Sequence, residues 1–528
     1  MDAVLKAIIE IGSTGIRLHV AEVYNSGGES SRASNSEAPR VWRVLDRAVR
    51  PVSLGRDVFT TGVLSRESML ECLAVLQNYR ELLTGWSITD NDIHAIATSA
   101  LRVARNRDVF IDRVKQETGF SFSIIEGIEE NRLMYLAVRF ALKQDLPLFW
   151  RANSMIVEIG GGSTEIMLLR RGQMVAAHSL KLGTIMINQR SRHGFGKGFF
   201  YERYLNENIR NTLGMLNMDM DLNRIRTLVA AGADARLAAD KAGRELNENC
   251  KIIERVDFIK FVDKCRNYTI EDCINEFGIS YTDAEGLILG LLILKLILER
   301  TGAPLLAVPL VTIRDGYLID LASGVDSSLQ DEFSSQIIAS AVNLGRKFHF
   351  DEAHGCHIAA MCMVIFDALI KEHGMNTRHR TLLETAAVLH DIGTYIKTSG
   401  HQKHGQYIVA NSEIFGLHQD ELGIIANVIN CHRGDIPSSS DADFMMLQRE
   451  ERVCVLKLAS ILRIADALDR GHTQKIKKIT VERRKETVVL HAEGAAGSQS
   501  NDFSLELMGL EEKGKLFQDV YGYKVILS

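Results

Sequence analysis

The chain has 528 residues, of which 46% are hydrophobic and 24% are charged, and its formal net charge is -5. A chain of this length exceeds the size at which a single core keeps growing, so several domains are expected. The composition is ordinary for a soluble globular protein, and the slight negative charge argues against non-specific binding to nucleic acid or membranes.

Three features indicate a cytoplasmic protein. The eight cysteines contain no C-x-x-C pair and are expected to be reduced thiols in the core. The longest apolar run, residues 287–294, is interrupted by Gly290 and is far shorter than the ~20 residues that span a bilayer. The first residues enter a strand-like segment without the basic and apolar regions of a signal peptide.

Two similar hairpins are predicted, at residues 7–20 and 155–169. In each, an apolar strand ends in E-I-G, a glycine turn with Ser and Thr follows, and a second strand begins. The shared sequence indicates an internal repeat.

The remaining elements alternate in type along the first part of the chain, which predicts an α/β fold. The predicted pieces are an exposed Ser/Gly-rich hairpin loop at residues 26–36, helices at 65–83 and 107–118, a strand and turn at 227–232, and an apolar helix at 283–300. From residue 326 onward the pattern becomes helical and rich in His, and from residue 474 it returns to strands at 478–482 and 487–491.

Each predicted glycine turn exposes successive backbone N–H groups that an anion can approach closely. One such turn is weak support for a binding site, but two equivalent turns facing each other across a cleft would hold a phosphate chain from both sides. The candidate phosphate-binding residues are Gly12, Ser13, Thr14, Arg17, Gly161, Gly162, Ser163 and Thr164. Arg17 is a weaker candidate, because its alternating strand also allows it to face solvent.

The repeated hairpin resembles that of actin, the sugar kinases and Hsp70. Six ordered segments narrow the resemblance to the exopolyphosphatase / guanosine-pentaphosphate phosphohydrolase family: I-G-S-T-G-I-R at 11–17, T-S-A-L-R at 98–102, E-G-I-E-E-N-R-L at 126–133, G-G-G-S-T-E at 160–165, K-L-G at 181–183 and R-D-G at 314–316. The resemblance implies a duplicated actin-like (ribonuclease H-like) α/β unit with lobes at 1–127 and 128–325, an all-helical HD-like domain at 326–473 and a small α+β region at 474–528.

The same resemblance implies an activity, which is the release of orthophosphate from inorganic polyphosphate or of the 5′ γ-phosphate from guanosine pentaphosphate by a homodimer. Glu130 would activate the attacking water and Arg102 would contact the terminal phosphoryl group. Glu10, Glu158 and Glu165 would organise Mg²⁺ or another divalent ion in the cleft. A competing interpretation of Glu130 is that acidic residues are favoured in the first turn of any helix.

The sequence departs from the family pattern at the predicted site. Glu10 and Glu158 stand where the family usually has Asp, and Gly15 stands where a polar residue is usual. An added methylene moves a carboxylate by about 1.5 Å, so either the backbone has shifted in compensation or the site binds phosphate without fast turnover. Asp234, in the G-A-D-A segment at residues 232–235, would repel a nucleotide phosphate and argues against an ATP-dependent kinase.

A second candidate site lies in the helical part of the chain. His357, His390, Asp391 and Asp466 resemble the H…HD…D signature of HD phosphohydrolases, and His404 and His432 stand where two-metal members have further histidines. These residues predict a possible second divalent metal site, although an inherited platform without metal is equally compatible. Two further functions therefore stay open, a metal-dependent HD nucleotide phosphohydrolase and a non-catalytic sensor of polyphosphate or nucleotide.

Overall fold

The computed structural model describes residues 3–24, 42–142, 147–192, 199–323, 327–434, 437, 441–494 and 503–528. The chain divides into two compact units, Met1–Glu332 and Phe333–Ser528. The loop predicted at residues 26–36 and the predicted boundary at residue 325 lie outside the described residues. The division into four regions stays a prediction.

The first unit begins with a five-stranded sheet in the order β3-β2-β1-β4-β5. Its strands are β1 Ala3–Ile11, β2 Gly15–Tyr24, β3 Trp42–Pro51, β4 Ile93–Ala97 and β5 Phe122–Ile124. Strands β1, β2 and β3 are antiparallel neighbours, whereas β4 and β5 run parallel to β1. The end of β1 is buried on both faces, which explains its continuous apolar sequence.

The second sheet of this unit repeats the first. Its strands are β6 Asn153–Ile159, β7 Thr164–Arg170, β8 Gln173–Leu180, β9 Ile225–Ala231, β10 Arg244–Asn247, β11 Cys250–Glu254 and β12 Leu305–Pro309. The segment β8-β7-β6-β9-β12 has the same order and strand directions as the first sheet, and β11 and β10 extend its edge. The repeat predicted from two turns therefore extends to a whole five-stranded topology.

Helices connect the strands of both sheets. They are α1 Leu54–Thr61, α2 Arg66–Gly85, α3 Ser99–Val103, α4 Arg107–Thr118, α5 Gly127–Leu142, α6 Pro147–Arg151, α7 Thr184–Arg192, α8 Phe199–Asp219, α9 Ala233–Ala242, α10 Arg255–Cys265, α11 Ile270–Phe277, α12 Tyr281–Glu299 and α13 Ile313–Ser323. Ordinary capping sets several ends. The Ser65 side chain accepts a hydrogen bond from the Ser68 N–H at the start of α2, and Gly119 ends α4 in the left-handed conformation.

The second unit is mainly helical. After α14 Ser327–Lys347, which crosses the boundary between the units, it contains α15 Glu352–Ala368, α16 Ile370–His373, α17 Thr377–Leu389, α18 His401–Ala410, α19 Gln419–Asn430, α20 Ala442–Met445, α21 Arg449–Ala467, α22 Ser504–Lys513 and α23 Lys515–Tyr521. A small sheet of β13 Ile476–Arg483, β14 Thr487–Gly494 and β15 Lys524–Leu527 shares one apolar core with these helices. The predicted fold class, α/β lobes followed by a helical region and a small C-terminal α+β part, is confirmed. Within the described ranges, no helix has the length and apolar character needed to cross a membrane.

Candidate active site

The two predicted phosphate turns are loop 1, residues 12–14 between β1 and β2, and loop 2, residues 160–163 between β6 and β7. Each begins with a glycine whose N–H donates to the carbonyl three residues further on, Gly12 to Gly15 at 3.0 Å and Gly160 to Ser163 at 2.9 Å. The repeat therefore extends to the hydrogen bonding of the turns.

Carbonyl groups of both loops are bound by the elements that follow in the chain. The Ser13 carbonyl accepts from the Gly55 N–H at 2.8 Å, and the Gly161 carbonyl accepts from the Ile185 N–H at 3.0 Å. The N–H and C=O groups of one peptide unit point in opposite directions. When these carbonyls point toward the elements that donate to them, the N–H group of the same peptide unit points away from those elements. Ser13, Thr14 and Gly161 line one common cavity.

Close backbone approach explains the glycines of loop 2. A Cβ atom at Gly161 would lie 3.1 Å from the Ser13 Cβ, so the two loops are in direct contact. A Cβ at Gly162 would lie 2.5 Å from the Phe59 ring, and Gly183 of the K-L-G segment packs so tightly on loop 2 that any side chain would overlap its backbone.

Not every predicted phosphate-binding residue faces the cavity. Gly12, Ser13, Thr14, Arg17, Gly161 and Ser163 line it, whereas Gly162 and Thr164 do not. The Thr164 hydroxyl is buried and donates to the Leu182 carbonyl at 2.5 Å, so this residue holds loop 2 in place.

The four residues of the E-E-N-R segment, at the start of helix α5, make different contacts. Glu130 lines the cavity, and the Asn131 amide donates to Glu165 Oε2 at 3.2 Å. Arg132 forms paired hydrogen bonds of 2.6–2.9 Å with Glu129 and with Asp320 of α13. One acid of the Glu129-Glu130 pair is therefore structural, and the other faces the cleft.

Arg102 contacts the predicted base instead of the cavity. Its guanidinium donates to Glu130 Oε1 at 2.5 Å and to the Ile125 carbonyl at 2.7 Å, and Arg102 is not among the residues lining the cavity. Burial raises the pKa of Glu130, and Arg102 counteracts that rise. In this structure Arg102 holds Glu130 in position, and its contact with the terminal phosphoryl group stays a prediction.

Arginines that do line the cavity are Arg17, Arg236 and Arg314. Arg17 donates to the Thr14 hydroxyl at 2.9 Å and to Glu10 at 3.4 Å, so it does not simply face solvent. Sequence reasoning missed Arg236 and Arg314. The R-D-G segment was a usable signal for Arg314, while Arg236 stands one residue beyond the G-A-D-A segment.

Burial and the charge of Glu130 raise the pKa of two other cleft carboxylates. Burial raises the pKa of Glu158 to about 8, with a further contribution from Glu130, and Glu158 Oε2 is buried without a hydrogen-bond partner. Burial and Glu130 also raise the pKa of Glu165 well above its ordinary value, although Ser179 and Ser163 oppose the rise. Arg236 and Arg17 oppose the rise at Glu158 without cancelling it.

These carboxylates fit a divalent ion only in part. Glu158 has a free buried oxygen, but Glu10 forms ion pairs with Arg314 and Arg17, and Glu165 accepts from Ser179 at 2.8 Å and from Asn131. In the part of the chain that the structure describes, no cluster of three ligand groups occurs in the cleft. The arrangement suits an ion held by one carboxylate, by water and by substrate phosphate, which is the usual coordination of Mg²⁺.

Asp234 lies on the cavity wall, as its position in the G-A-D-A segment suggested. Burial and Asp283 raise its pKa to about 7, against the opposing effect of Arg236. The folded protein thus keeps the proton of the Asp234 carboxyl up to about pH 7, whereas the unfolded chain loses that proton near the ordinary pKa of an aspartic acid. Stability must therefore fall as pH rises between these two values and stay level above the higher one.

Asp234→Asn is expected to remove this pH dependence. Relative to the wild type, the variant gains stability progressively from about pH 4 to pH 7, by up to about 4 kcal/mol at the plateau. Thermal denaturation across this pH range measures the gain. Asp240→Asn, which removes only a surface ion pair with Lys251, is the matched control on the same helix and should change stability little at any pH. Parallel pH profiles for wild type and Asp234→Asn would contradict the assignment.

In the second unit, the structure brings together some of the predicted metal ligands and replaces others. His390 and Asp391 belong to a cluster with His354, and Asp391 also belongs to a cluster with His401 and His432. Asp466 Oδ1 lies 3.8 Å from Nε2 of both His354 and His390. His357 and His404 are outside both clusters, and their places are taken by His354 and His401, each three residues earlier on the same helix.

The first unit has two α/β lobes of the same topology, and each lobe presents a glycine turn to a common polar cavity. This arrangement is that of the actin-like class of phosphate-binding proteins. Residues 34–323 match the Ppx/GppA phosphatase family, and residues 338–512 match domain III of the Ppx/GppA phosphatases. The chain belongs to the Ppx/GppA phosphatase family.

Individual relatives are distant but extensive. The chain is 23% identical to a guanosine-5′-triphosphate,3′-diphosphate pyrophosphatase of Aeromonas hydrophila, with 92% of each chain covered. It is also 23% identical to a protein of the same name from Pseudoalteromonas translucida, with 81% of each covered. Among solved structures, an exopolyphosphatase from Cytophaga hutchinsonii superimposes with a TM-score of 0.53 at 19% identity, covering 61% of this chain and 99% of that one. The likeness to that structure supports the fold.

Proposed function

We propose that the cleft of this phosphohydrolase removes terminal orthophosphate from inorganic polyphosphate, from guanosine pentaphosphate, or from both. The observation that carries the proposal is that loop 1, loop 2 and Glu130 line one cavity. Backbone donors from two loops and a carboxylate in the same cavity suit a phosphoryl group attacked by water.

The small volume of the cavity favours hydrolysis at the end of a phosphate chain. It encloses about 170 Å³, which is below the roughly 300 Å³ of pockets that enclose a drug-sized molecule. We infer that the cavity takes the end of a phosphate chain while the rest of the substrate lies outside it. Such an end is common to polyphosphate and to the 5′ side of guanosine pentaphosphate.

In the proposed reaction, Glu130 orients a water molecule toward the terminal phosphorus and accepts its proton. The bond from that phosphorus to the bridging oxygen breaks, and the shortened phosphate chain leaves on that oxygen while orthophosphate forms. Arg102 acts as a positioning residue, because its hydrogen bond to Glu130 fixes the direction in which the carboxylate points. The cavity-lining guanidiniums of Arg17 and Arg314 offset the charge of the equatorial oxygens.

A divalent ion, Mg²⁺ by preference, would be held at Glu158 together with substrate oxygens. When bound, it would neutralise phosphate charge in the cleft. Glu158 suits this role because its buried Oε2 has no hydrogen-bond partner among the residues that the structure describes.

The choice of substrate is the first experiment. Orthophosphate release is measured from long-chain polyphosphate and from guanosine pentaphosphate, with and without Mg²⁺. Two of the relatives named above are guanosine-5′-triphosphate,3′-diphosphate pyrophosphatases, which favours release from guanosine pentaphosphate. Release from neither substrate would overturn the proposal, and tight binding of either without release would instead identify a sensor.

A further inference from the structure

The second unit contains six ligand-type side chains gathered from five helical segments. His354 comes from α15, His390 and Asp391 follow α17, His401 begins α18, His432 follows α19, and Asp466 lies near the end of α21. The ligand atoms within each of two overlapping groups, His354-His390-Asp391 and Asp391-His401-His432, lie within 4.8 Å of one another. The four histidines and Asp466 are at most 3% exposed.

All four imidazoles are oriented in the same way. The Nδ1 atoms of His390, His401 and His432 lie 2.6–2.9 Å from the carbonyls of Ala387, Thr398 and Ile429, respectively. Nδ1 of His354 lies 2.8 Å from the Asp469 carboxylate. Carbonyl and ionised carboxylate oxygens only accept hydrogen bonds, so the proton of each neutral ring is on Nδ1 and the lone pair of Nε2 points into the cluster. Anchoring of the outer ring nitrogen in this way is the usual support for a metal-bound histidine.

The inner nitrogens lack the partners that a buried polar atom needs. Within the described ranges, Nε2 of His354 and Nε2 of His390 are buried without a hydrogen bond. Nε2 of His401 and Nε2 of His432 face each other at 3.2 Å, and Nε2 of His401 also lies 3.0 Å from Asp391 Oδ1. Lone pairs and a carboxylate that converge in this way repel one another unless a cation lies between them.

We propose that this cluster binds two divalent transition-metal ions bridged by Asp391. One ion would take His354, His390, Asp391 Oδ2 and Asp466 as ligands, and the other would take Asp391 Oδ1, His401 and His432. Contacts of 3.0–3.8 Å among these atoms support shared ions, since two ligands each about 2.1 Å from one ion lie roughly 3–3.5 Å apart.

The chemistry of the donors selects the class of metal. Four imidazole nitrogens suit Mn²⁺, Fe²⁺, Zn²⁺ and their first-row neighbours, whereas Mg²⁺ and Ca²⁺ prefer oxygen. When bound, such a bridged pair supplies an activated water and a clamp for the oxygens of a phosphate ester. The site is thus chemically distinct from the cleft, where carboxylates and arginines predominate.

A metal-free ion-pair network is the competing explanation. Lys513 forms an ion pair with Asp466, and a proton shared by His401 and Asp391 would satisfy that contact. These two partners do not account for Nε2 of His354 and of His390, because neither nitrogen has a hydrogen-bond donor in the described part of the chain. Two ions would satisfy all four imidazoles at once.

Metal content of the full chain tests the proposal. The protein is stripped with a chelator, reconstituted separately with Mn²⁺, Zn²⁺ and Mg²⁺, desalted, and analysed by mass spectrometry for bound metal. The wild type is expected to retain two transition-metal ions per chain and no Mg²⁺ in this unit, and its Mn²⁺ form should give the electron paramagnetic resonance signal of a coupled pair. Asp391→Asn should lose both ions, because it removes the bridge.

The histidines outside the clusters provide matched controls. His357→Ala and His404→Ala change the same two helices one turn further on, and both should retain two ions. A circular dichroism spectrum of Asp391→Asn that differs from that of the wild type would mean that the variant is misfolded and cannot be used. The number of metal ions bound per wild-type chain then decides whether the proposal holds. A reconstituted wild type without transition metal, or loss of metal in the two control variants equal to that in Asp391→Asn, would overturn the proposal. Orthophosphate release at the cleft is a separate measurement, so failure of one proposal leaves the other intact.

Discussion

Glu130→Gln is expected to lower kcat for orthophosphate release by about 100- to 10,000-fold, with a much smaller effect on KM. Gln keeps the size of the side chain and can still contact Arg102, but it cannot accept a proton from the attacking water. The structure supports this expectation because Glu130 lines the cavity together with both glycine loops. Steady-state release from the better of the two substrates gives both constants.

The control for this variant is Glu126→Gln, an exposed acid one turn before Glu130 that does not line the cavity. It removes the same charge close by and should leave kcat near the wild-type value. Unchanged release in Glu130→Gln would move catalysis away from the cleft. Attention would then turn to the histidine cluster of the second unit, where Asp391→Asn would be the decisive variant.

The reliable predictions from the sequence were those made by local pattern. The two hairpins, the helix at residues 107–118 and the terminal strands appear close to their predicted bounds. Each depends on periodicity and turn residues within a short window. The repeat of E-I-G and S-T even anticipated two sheets of the same topology.

Contacts between residues far apart in the chain could not be predicted from the sequence. Glu10 was interpreted as a metal-organising acid, but Arg314, which forms an ion pair with it, is about three hundred residues away in the chain. Likewise, Arg102 was expected at the phosphoryl group, and only the fold places it against Glu130.

The histidine cluster illustrates a different limit. Residues three apart on a helix share a face, so periodicity treats His354 and His357 alike, and the same holds for His401 and His404. The structure distinguishes them by burial and partner, since His354 is fully buried beside Asp469 whereas His357 is only half-buried. Both histidines of each pair have the right residue type, so a pattern of types alone could not select between them.

Arg132→Met is expected to destabilise the first unit by about 3–5 kcal/mol. Arg132 joins α5, which carries Glu130, to α13, which carries Arg314, through paired hydrogen bonds to Glu129 and Asp320. Glu129 is 8% exposed, so removal of the Arg132 guanidinium takes a paired cation away from a buried carboxylate. Urea denaturation followed by circular dichroism measures the loss.

A double variant separates this charge effect from lost packing. Glu129→Gln with Arg132→Met removes both charges and should recover part of the stability lost in Arg132→Met alone, because breaking a buried pair costs more than removing it. Asp320 is the less informative partner, since its side chain is 39% exposed and water can solvate it. Glu129→Gln is also measured alone. If this substitution lowers the free energy of unfolding by the same amount in the wild type and in Arg132→Met, the two residues act independently. In that case α5 is held to α13 by packing, not by this ion pair.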